Sequence, residues 1–488
     1  MVCINGAYDA DMLIDVMKQI GSAYHTLILL DHALQLPERR RLAFKVKNTA
    51  EDKMFCVIDR VAMAFLTRNY DETKILRMLM AIVAPFSFYQ PYVWESANFM
   101  PPELFMGRRS ELEAIKAANG VNIVYGGRQL GKSALLKRAR DDVDGSVIKD
   151  AGAGTDCRQR AIYIDVRELD YKKTARRISQ ELYDQGILDQ DIDTDSWDEL
   201  SRAVRNRLRQ SGPNRIPYLL LLLDEADVFI ESCADVNYLP FDRLKEMQSF
   251  EANRFKFVVA GLRNVVRFNR AALDRNSVLP HMQSLTVTPF SVSEARELLE
   301  VPLYYLGLRF PHDRESLITL ILATTNYFPG LIQLYCARLL EAMRRNDYAG
   351  YDETRSPAYV VSVHHIKKVL ADPEFNQQIW DKYYITLKLA EDDYYYVIAL
   401  LMAYLYRERD SVAGHSAKDI RALSAELNIR RICEMPVEKL SALMEELIEL
   451  NVLRRSDPTH YLFARYTFFQ MMAARIDIED ELLKYMEA

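Results

Sequence analysis

One short segment constrains this chain more than any other part of its sequence. Residues 126–133 read GGRQLGKS, which matches the pattern G-x-x-x-x-G-K-[ST] in full. An apolar run at residues 121–125 precedes the segment, and a helical pattern begins at Lys132. Because a strand, a glycine-rich loop and a helix in this order leave backbone N–H groups free to surround a phosphate, the sequence predicts a phosphate-binding loop, or P-loop, in an α/β domain.

The residues of this loop are expected to play different parts in holding a polyphosphate. The glycines let the backbone wrap around the β-phosphate, and the following helix directs the partial positive charge of its N-terminus at the phosphates. Lys132 should reach the β- and γ-phosphates of ATP, and Ser133 should bind Mg²⁺. The residues expected to contact ATP or ADP are Gly126, Gly127, Arg128, Gln129, Leu130, Gly131, Lys132, Ser133 and Ala134.

An apolar run that ends in two acidic residues supplies the second half of the expected site. Residues 219–223 are all leucine, and Asp224 and Glu225 follow them. We expect Asp224 to hold Mg²⁺ through water and Glu225 to orient and polarise the water that attacks the γ-phosphate. By itself the pattern also fits a buried strand that ends at the surface. The letters DEAD at residues 224–227 match the name of a helicase family by accident, because that family's other motifs and its second α/β lobe are not visible in the sequence.

A further group of polar residues follows the apolar run at 255–260. Residues 261–268 read GLRNVVRF, and sheets of this kind usually place such a strand end beside the γ-phosphate. Arg263, Asn264 and Arg267 are therefore candidate sensors of the nucleotide, acting in cis or from a neighbouring subunit. The same pattern also fits solvated surface arginines.

Composition limits the classes of protein to which the chain can belong. A length of 488 residues predicts about three domains at about 150 residues each. With 49% hydrophobic and 27% charged residues, the chain is typical of globular proteins, and a net charge of −6 argues against a protein coated in nucleic acid. The six cysteines form no CxxC pair, and neither a signal peptide nor an apolar run of membrane-spanning length is visible. These observations predict a cytoplasmic protein without a membrane partner.

The N-terminal part carries no chemical motif. Its pattern is mostly helical, as in Ile58, Val61, Ala62 and Phe65, which recur at helical spacing. We interpret residues 1–100 as a helical module for packing or for docking a partner.

The rest of the chain divides into three parts. Residues 101–289 alternate short apolar runs with helical stretches, which predicts an α/β P-loop NTPase domain with a mainly parallel sheet. Residues 290–388 are all helical and begin with a capping box at 291–294. Residues 389–488 contain three helical stretches and two β-like runs separated by an Asp-Pro turn, which is the outline of a winged helix.

Taken together, the motifs resemble those of the STAND class of signal-transduction NTPases, which are relatives of the AAA+ origin-recognition ATPases. The segments that carry the resemblance, beside the P-loop and DEAD segments, are GR-x-x-E at 107–111, VVAGLRNVVRF at 258–268, LTVTPFSVSEARELL at 285–299 and TTNYFPGLIQLYCARLL at 324–340. More narrowly, they resemble bacterial STAND-like ATPases of conflict and antiviral defence systems. The resemblance covers residues 105–470.

The resemblance implies further site residues and a mode of action. Met106, Gly107 and Arg108 would lie at the adenine and ribose side. Residues 290–388 would form a helical lid domain, from which Pro329 would contact the nucleotide. The segments around Gly107 and Pro329 also fit ordinary helix starts. In this class ADP holds a closed monomer, and ATP with a trigger opens it to an oligomer. The chain lacks a recognisable effector domain and a C-terminal repeat sensor, so the sequence leaves two alternatives open: a fragment of a longer protein, or a chain that works with a separately encoded effector protein.

Two other functions remain open from the sequence. The chain could be an AAA+ DNA-binding ATPase of the origin-recognition or transposition-regulator type, with Arg430, Arg431, Arg454 and Arg455 on DNA phosphates. The acidic residues of the helical stretch at 436–450 make it a poor face for a DNA groove. The third reading is a scaffold that binds ATP without hydrolysing it, and an intact Glu225 argues against that reading.

Overall fold

The chain divides into two compact units, each built from two separate stretches of sequence. One unit comprises Met1–Gly107 and Phe290–Trp380, and the other comprises Arg108–Pro289 and Asp381–Ala488. The computed structural model describes residues 1–20, 26–48, 55–72, 74–86, 91–92, 104–149, 156–210, 212, 215–250, 254–262, 282–311, 314–344, 359–409 and 414–486.

Strands and helices alternate from the N-terminus to residue 289. The elements are β1 (Val2–Ile4), α1 (Ala10–Ile20), β2 (Thr26–Leu30), α2 (Leu36–Asn48), β3 (Phe55–Asp59), α3 (Arg60–Arg68), α4 (Ile75–Val83), α5 (Arg109–Lys116), β4 (Ile123–Tyr125), α6 (Lys132–Val143), β5 (Val147–Lys149), β6 (Asp156–Arg158), β7 (Arg160–Asp165), α7 (Tyr171–Asp184), α8 (Trp197–Arg209), β8 (Leu219–Asp224), α9 (Asp227–Cys233), α10 (Leu239–Phe250), β9 (Phe255–Gly261) and β10 (Ser284–Thr286).

Helices predominate after residue 289. The elements are α11 (Val292–Tyr305), β11 (Leu308–Arg309), α12 (Arg314–Thr324), α13 (Pro329–Arg344), β12 (Tyr359–Val360), α14 (Val363–Leu370), α15 (Pro373–Leu387), α16 (Tyr394–Arg409), β13 (His415–Ser416), α17 (Ala417–Glu426), α18 (Arg430–Cys433), α19 (Val437–Glu449), β14 (Leu453–Arg455), β15 (His460–Phe463), α20 (Tyr466–Arg475) and α21 (Ile478–Leu483). Within the described ranges, none of the helices combines the length and the apolar character needed to cross a bilayer.

A small parallel sheet, in the order β1-β2-β3, forms the N-terminal part of the first unit. One face packs on α1 and α2 through residues such as Leu13 and Ile28, and the other packs on α3 and α4 through Cys56 and Ile58. Most of the described residues here are helical, as predicted, but the sheet itself was not predicted. The prediction of a helix at Ile58 was wrong, because the residue lies in β3, where all five residues are buried.

A five-stranded parallel sheet is the centre of the second unit. Its strand order is β10-β4-β9-β8-β7, and every neighbouring pair is parallel. Each residue of β8 is buried, because helices cover both faces of the sheet. The predicted α/β P-loop fold is confirmed, whereas the β5–β6 hairpin and the helices α9 and α10 were not predicted.

The C-terminal part of the second unit combines helices with an antiparallel sheet in the order β13-β15-β14. The three helical stretches predicted in this part correspond to α16, α17 and α19. Between β14 and β15, the Asp457 carboxylate accepts hydrogen bonds from the amides of Thr459 and His460, which closes the predicted turn.

A buried carboxylate connects several elements of the N-terminal sheet. Asp59 is 0% exposed, and its two oxygens accept hydrogen bonds from the backbone amides of Ala62 and Leu34, each at 2.8 Å. Arg39 Nη2 lies 2.6 Å from Asp59 Oδ2. Asp59 therefore caps α3 and holds the loop before α2 at the same time.

We expect Asp59→Ala to destabilise the first unit by about 3 kcal/mol, because it leaves Arg39 without its carboxylate and two amides without acceptors. The measurement is the free energy of unfolding from urea denaturation. Arg60→Ala is the control, because its ion pair with Asp31 is exposed and should change stability little. Equal midpoints for the two variants would contradict the role assigned to Asp59.

Candidate nucleotide-binding site

The P-loop connects the end of β4 to the start of α6, as the sequence predicted. Gly126 and Gly131 have φ angles of 148° and 89°, a backbone region that favours glycine. A Cβ atom at Gly126 would collide with the carbonyl oxygen of Val287, and one at Gly127 would lie 2.7 Å from the carbonyl oxygen of Leu450. The path of the loop thus depends on glycine at these positions.

The inner side of the loop presents hydrogen-bond donors. Within the described part of the chain, the amides of residues 127–131 donate no backbone hydrogen bond. Lys132 is 8% exposed, and its Nζ donates to the carbonyl oxygens of Gly126 and Gly127 at 2.8 Å each. Burial lowers the pKa of Lys132, and the negative charge of Asp224 acts in the opposite direction. The ammonium group is therefore placed where a polyphosphate would favour its charged form.

Two further polar groups of the loop fit a polar ligand. Arg128 Nε and Gln129 Oε1 are buried and have no hydrogen-bond partner among the residues that the structure describes. Because buried polar groups are normally paired, unpaired groups in a glycine-rich loop are consistent with a site for a phosphate-bearing ligand.

Ala134 lies in the first turn of α6, directly after Ser133.

Arg108 is buried and contacts the protein itself. Its guanidinium group donates to Glu111 Oε1 at 3.1 Å, to the carbonyl oxygen of Leu130 at 3.4 Å and to the carbonyl oxygen of Thr288. These contacts connect the start of α5 to the P-loop. A role for Arg108 at the adenine and ribose stays a prediction.

The other predicted nucleotide contacts lie in the first unit. Met106 and Gly107 immediately precede the boundary between the units, and Pro329 is the first residue of α13. Their contacts with a nucleotide also stay predictions.

Asp224 is held in place through both of its carboxylate oxygens. It ends β8 and is 1% exposed. Oδ1 accepts a hydrogen bond from the Glu225 amide at 2.9 Å, and Oδ2 accepts one from the Tyr163 hydroxyl at 2.8 Å. The Ser133 side chain lies close enough to the same hydroxyl to lower the pKa of Tyr163. The two predicted Mg²⁺ ligands, Ser133 and Asp224, therefore both lie beside the Tyr163 hydroxyl, and their hard oxygen atoms suit Mg²⁺.

Glu225 has an unusual backbone conformation for a residue with a side chain. Its φ angle is 55°, in the left-handed region, which costs about 1–3 kcal/mol and is often found at functional sites. Burial and the neighbouring Asp224 raise the pKa of Glu225. Arg167 Nη2 lies 3.8 Å from Glu225 Oε1. A carboxylate with a raised pKa beside the P-loop has the character of a general base.

The strand order brings the end of β9 between the P-loop and Asp224. Asp227 Oδ2 accepts a hydrogen bond from the Leu262 amide at 2.7 Å. The last acid of the DEAD segment, which begins α9, therefore binds the residue that directly follows β9. The candidate sensors Arg263, Asn264 and Arg267 lie outside the described residues and stay predictions.

Sequence reasoning missed two residues of this site. Tyr163 was visible only as one aromatic residue in a short apolar run, and Leu450 gave no signal at all. Leu450 directly follows α19, and the next residue, Asn451, has a φ angle of 60°. Leu450 and Gly127 are more than 300 positions apart in the chain, so no local sequence pattern predicts that they lie close together.

Comparison with known proteins identifies the fold. No family model matches the chain, and no curated protein matches it. A Walker-type ATPase of Pyrococcus abyssi has a similar structure, with a TM-score of 0.50, 16% identity, and coverage of 77% of this chain and 99% of that chain. The ORC1 protein of Aeropyrum pernix in complex with DNA gives a TM-score of 0.37, with 15% identity and coverage of 78% and 94%. Together with the strand order and the P-loop, the first likeness shows that this chain has the fold of a Walker-type, P-loop ATPase.

We expect Lys132→Ala to weaken ATP binding by about 100-fold or more, because each charge-assisted hydrogen bond to a phosphate contributes about 1.5–3 kcal/mol. The measurement is titration with a fluorescent ATP analogue. Lys173→Ala removes an exposed lysine of the same unit, which pairs with Asp170, and should bind like the unchanged protein. If Lys132→Ala bound the ATP analogue as tightly as the unchanged protein, the assignment of the P-loop as the nucleotide site would be wrong.

Proposed function

We propose that this chain is an ATP-binding and ATP-hydrolysing switch of the STAND type, which regulates the assembly or activation of a bacterial defence or signalling complex. The observation that carries the proposal is the contact between the P-loop at Gly127 and Leu450 at the end of α19. That contact joins the phosphate-binding loop to the C-terminal part of the same unit, which we interpret as a winged helix.

The proposed hydrolysis uses the residues of the P-loop and of the β8 end. Lys132 and the free amides of the loop hold the phosphates, and the N-terminus of α6 adds its partial positive charge. Ser133 and Asp224 would hold Mg²⁺, which neutralises charge on the β- and γ-phosphates when it is bound. Glu225 takes the proton of the attacking water, and its raised pKa makes it a stronger base than an ordinary glutamate.

Glu225→Gln is expected to bind ATP normally but to hydrolyse it about 10²–10⁴-fold more slowly, because the amide takes up no proton. Turnover by the unchanged protein should fall as the pH falls through the pKa of Glu225. Since burial and Asp224 raise that pKa, the acid limb should lie above the pKa of an ordinary glutamate. Hydrolysis by Glu225→Gln at the unchanged rate would exclude Glu225 as the base.

The electrostatics of α19 support a nucleotide-dependent switch. The C-terminal end of a helix carries a partial negative charge, and the carbonyl oxygen of Leu450 presents this end to Gly127. ATP brings an additional negatively charged phosphate to the same loop, and this charge is repelled by the helix end. Exchange of ADP for ATP therefore favours separation of α19 from the loop, and the freed surfaces are available for self-association or for a separately encoded effector protein.

Asn451 offers a way to weaken this contact without changing the loop. Its left-handed backbone forms the turn that ends α19, in which the amides of Asn451 and Val452 bond to the carbonyls of Ile448 and Leu447. Valine in this conformation is strained by about 1–3 kcal/mol, whereas glycine adopts it freely.

We expect Asn451→Val to form oligomers at about tenfold lower concentrations of a nonhydrolysable ATP analogue than the unchanged protein, and Asn451→Gly to behave like the unchanged protein. The measurement is molecular mass by light scattering with ADP and with the analogue. If every variant had the same molecular mass with ADP as with the ATP analogue, the proposed switch would be contradicted.

The DNA-binding alternative has less support from the side-chain contacts. Arg455 pairs with Glu445 at 2.6 Å, so one of the arginines expected on DNA phosphates is already bound to a carboxylate. Glu446 of α19 is buried and accepts a hydrogen bond from Tyr395. Binding of duplex DNA that weakens steeply with salt would favour the alternative instead.

A further inference from the structure

Tyr163 occupies a position that the proposed roles of the P-loop residues do not explain. It lies in β7, directly opposite Leu222 of β8. Its hydroxyl group donates to Asp224 Oδ2 at 2.8 Å, and Ser133 lies close enough to lower the pKa of this hydroxyl. The hydroxyl therefore lies beside both side chains that are expected to hold Mg²⁺.

Helix α6 also contacts the ring of Tyr163. Ser133 and Lys137 are four residues apart, so they lie on the same face of α6. Lys137 is buried, and its Nζ lies 4.9 Å from the centroid of the Tyr163 ring, where a cation is attracted by the face of the ring. The ring and the hydroxyl of Tyr163 therefore both lie beside residues of one helix.

We propose that Tyr163 is a positioning residue for Mg²⁺ in the nucleotide site, an inference that rests on the proposed function. Because the Glu225 amide binds Oδ1 and the Tyr163 hydroxyl binds Oδ2, the plane of the Asp224 carboxylate is fixed. Each carboxylate oxygen retains a second lone pair, which is free to accept a hydrogen bond from metal-bound water. The hydroxyl of Tyr163 sets the direction of that lone pair.

The test is Tyr163→Phe, which keeps the ring over Lys137 and removes only the hydroxyl. A fluorescent, nonhydrolysable ATP analogue is titrated at a series of Mg²⁺ concentrations and in EDTA. We expect the half-saturating Mg²⁺ concentration to rise about tenfold, because loss of a group that orients a metal ligand typically lowers metal affinity 10–100-fold. Affinity in EDTA should be unchanged.

Tyr218→Phe is the matched control. Tyr218 is another tyrosine of the same unit; it is buried, and its hydroxyl donates to the carbonyl oxygen of Lys116 at 2.9 Å. Its neighbours include neither Ser133 nor Asp224 among the contacts in the described residues. The control should therefore require the same Mg²⁺ concentration as the unchanged protein.

The possible outcomes separate this inference from the proposed function. If the unchanged protein does not bind the analogue, the proposed function fails, and the inference fails with it. If the unchanged protein binds with a clear Mg²⁺ dependence and Tyr163→Phe shows the same dependence, only the inference is overturned. A loss of affinity by Tyr163→Phe that is equally large in EDTA also overturns it, because such a loss would come from the fold of the loop and not from the metal.

Discussion

Parallel pairing of β4, β9 and β8 is the constraint on which the candidate site depends. The register sets Tyr125 opposite Gly261 and Leu223 opposite Val259, so the carboxyl ends of the three strands lie at one edge of the sheet. In open α/β sheets, ligands bind beyond this edge. The P-loop after β4 and the acids at the end of β8 meet there, although about 90 residues separate them in the chain. Backbone hydrogen bonds, and not the site residues themselves, thus determine the spacing of the site.

Burial at this edge of the sheet disfavours the charged forms of Lys132 and Glu225. Burial lowers the pKa of Lys132 and raises that of Glu225, so desolvation opposes the charged form of both. The negative charge of Asp224 favours the charged lysine and disfavours the charged glutamate. A polyphosphate beside Lys132 and Mg²⁺ beside the carboxylates would add a further opposite charge next to each group. The left-handed backbone of Glu225 adds strain at the same place, which is consistent with a site arranged for a ligand and not for stability.

Features of the fold and of the site could be predicted where they follow from a short stretch of sequence, and not where they depend on contacts between distant residues. The start of α6 at Lys132 and the acids after β8 were found because each follows from a short pattern of strand, loop and helix. Ile58 was assigned to a helix because a strand buried on both faces shows no alternation of apolar and polar residues. Tyr163 and Leu450 were missed because their contacts join residues that are distant in the chain, and neither has an unusual neighbourhood in the sequence.

Gly127 is restricted from two sides, and this bears on the choice between a switch and a DNA-binding protein. A side chain there would obstruct the wrapping of the loop around a phosphate and would also lie 2.7 Å from Leu450. If the C-terminal part is a winged helix, as we propose, α19 is the helix that a DNA-binding protein of this kind would present to a groove. Here its residue Glu446 bonds to Tyr395, and the residue after its end contacts the P-loop. Both the side and the end of α19 are thus engaged within the unit, and the proposed switch would use the contact at its end to couple the loop to the helix.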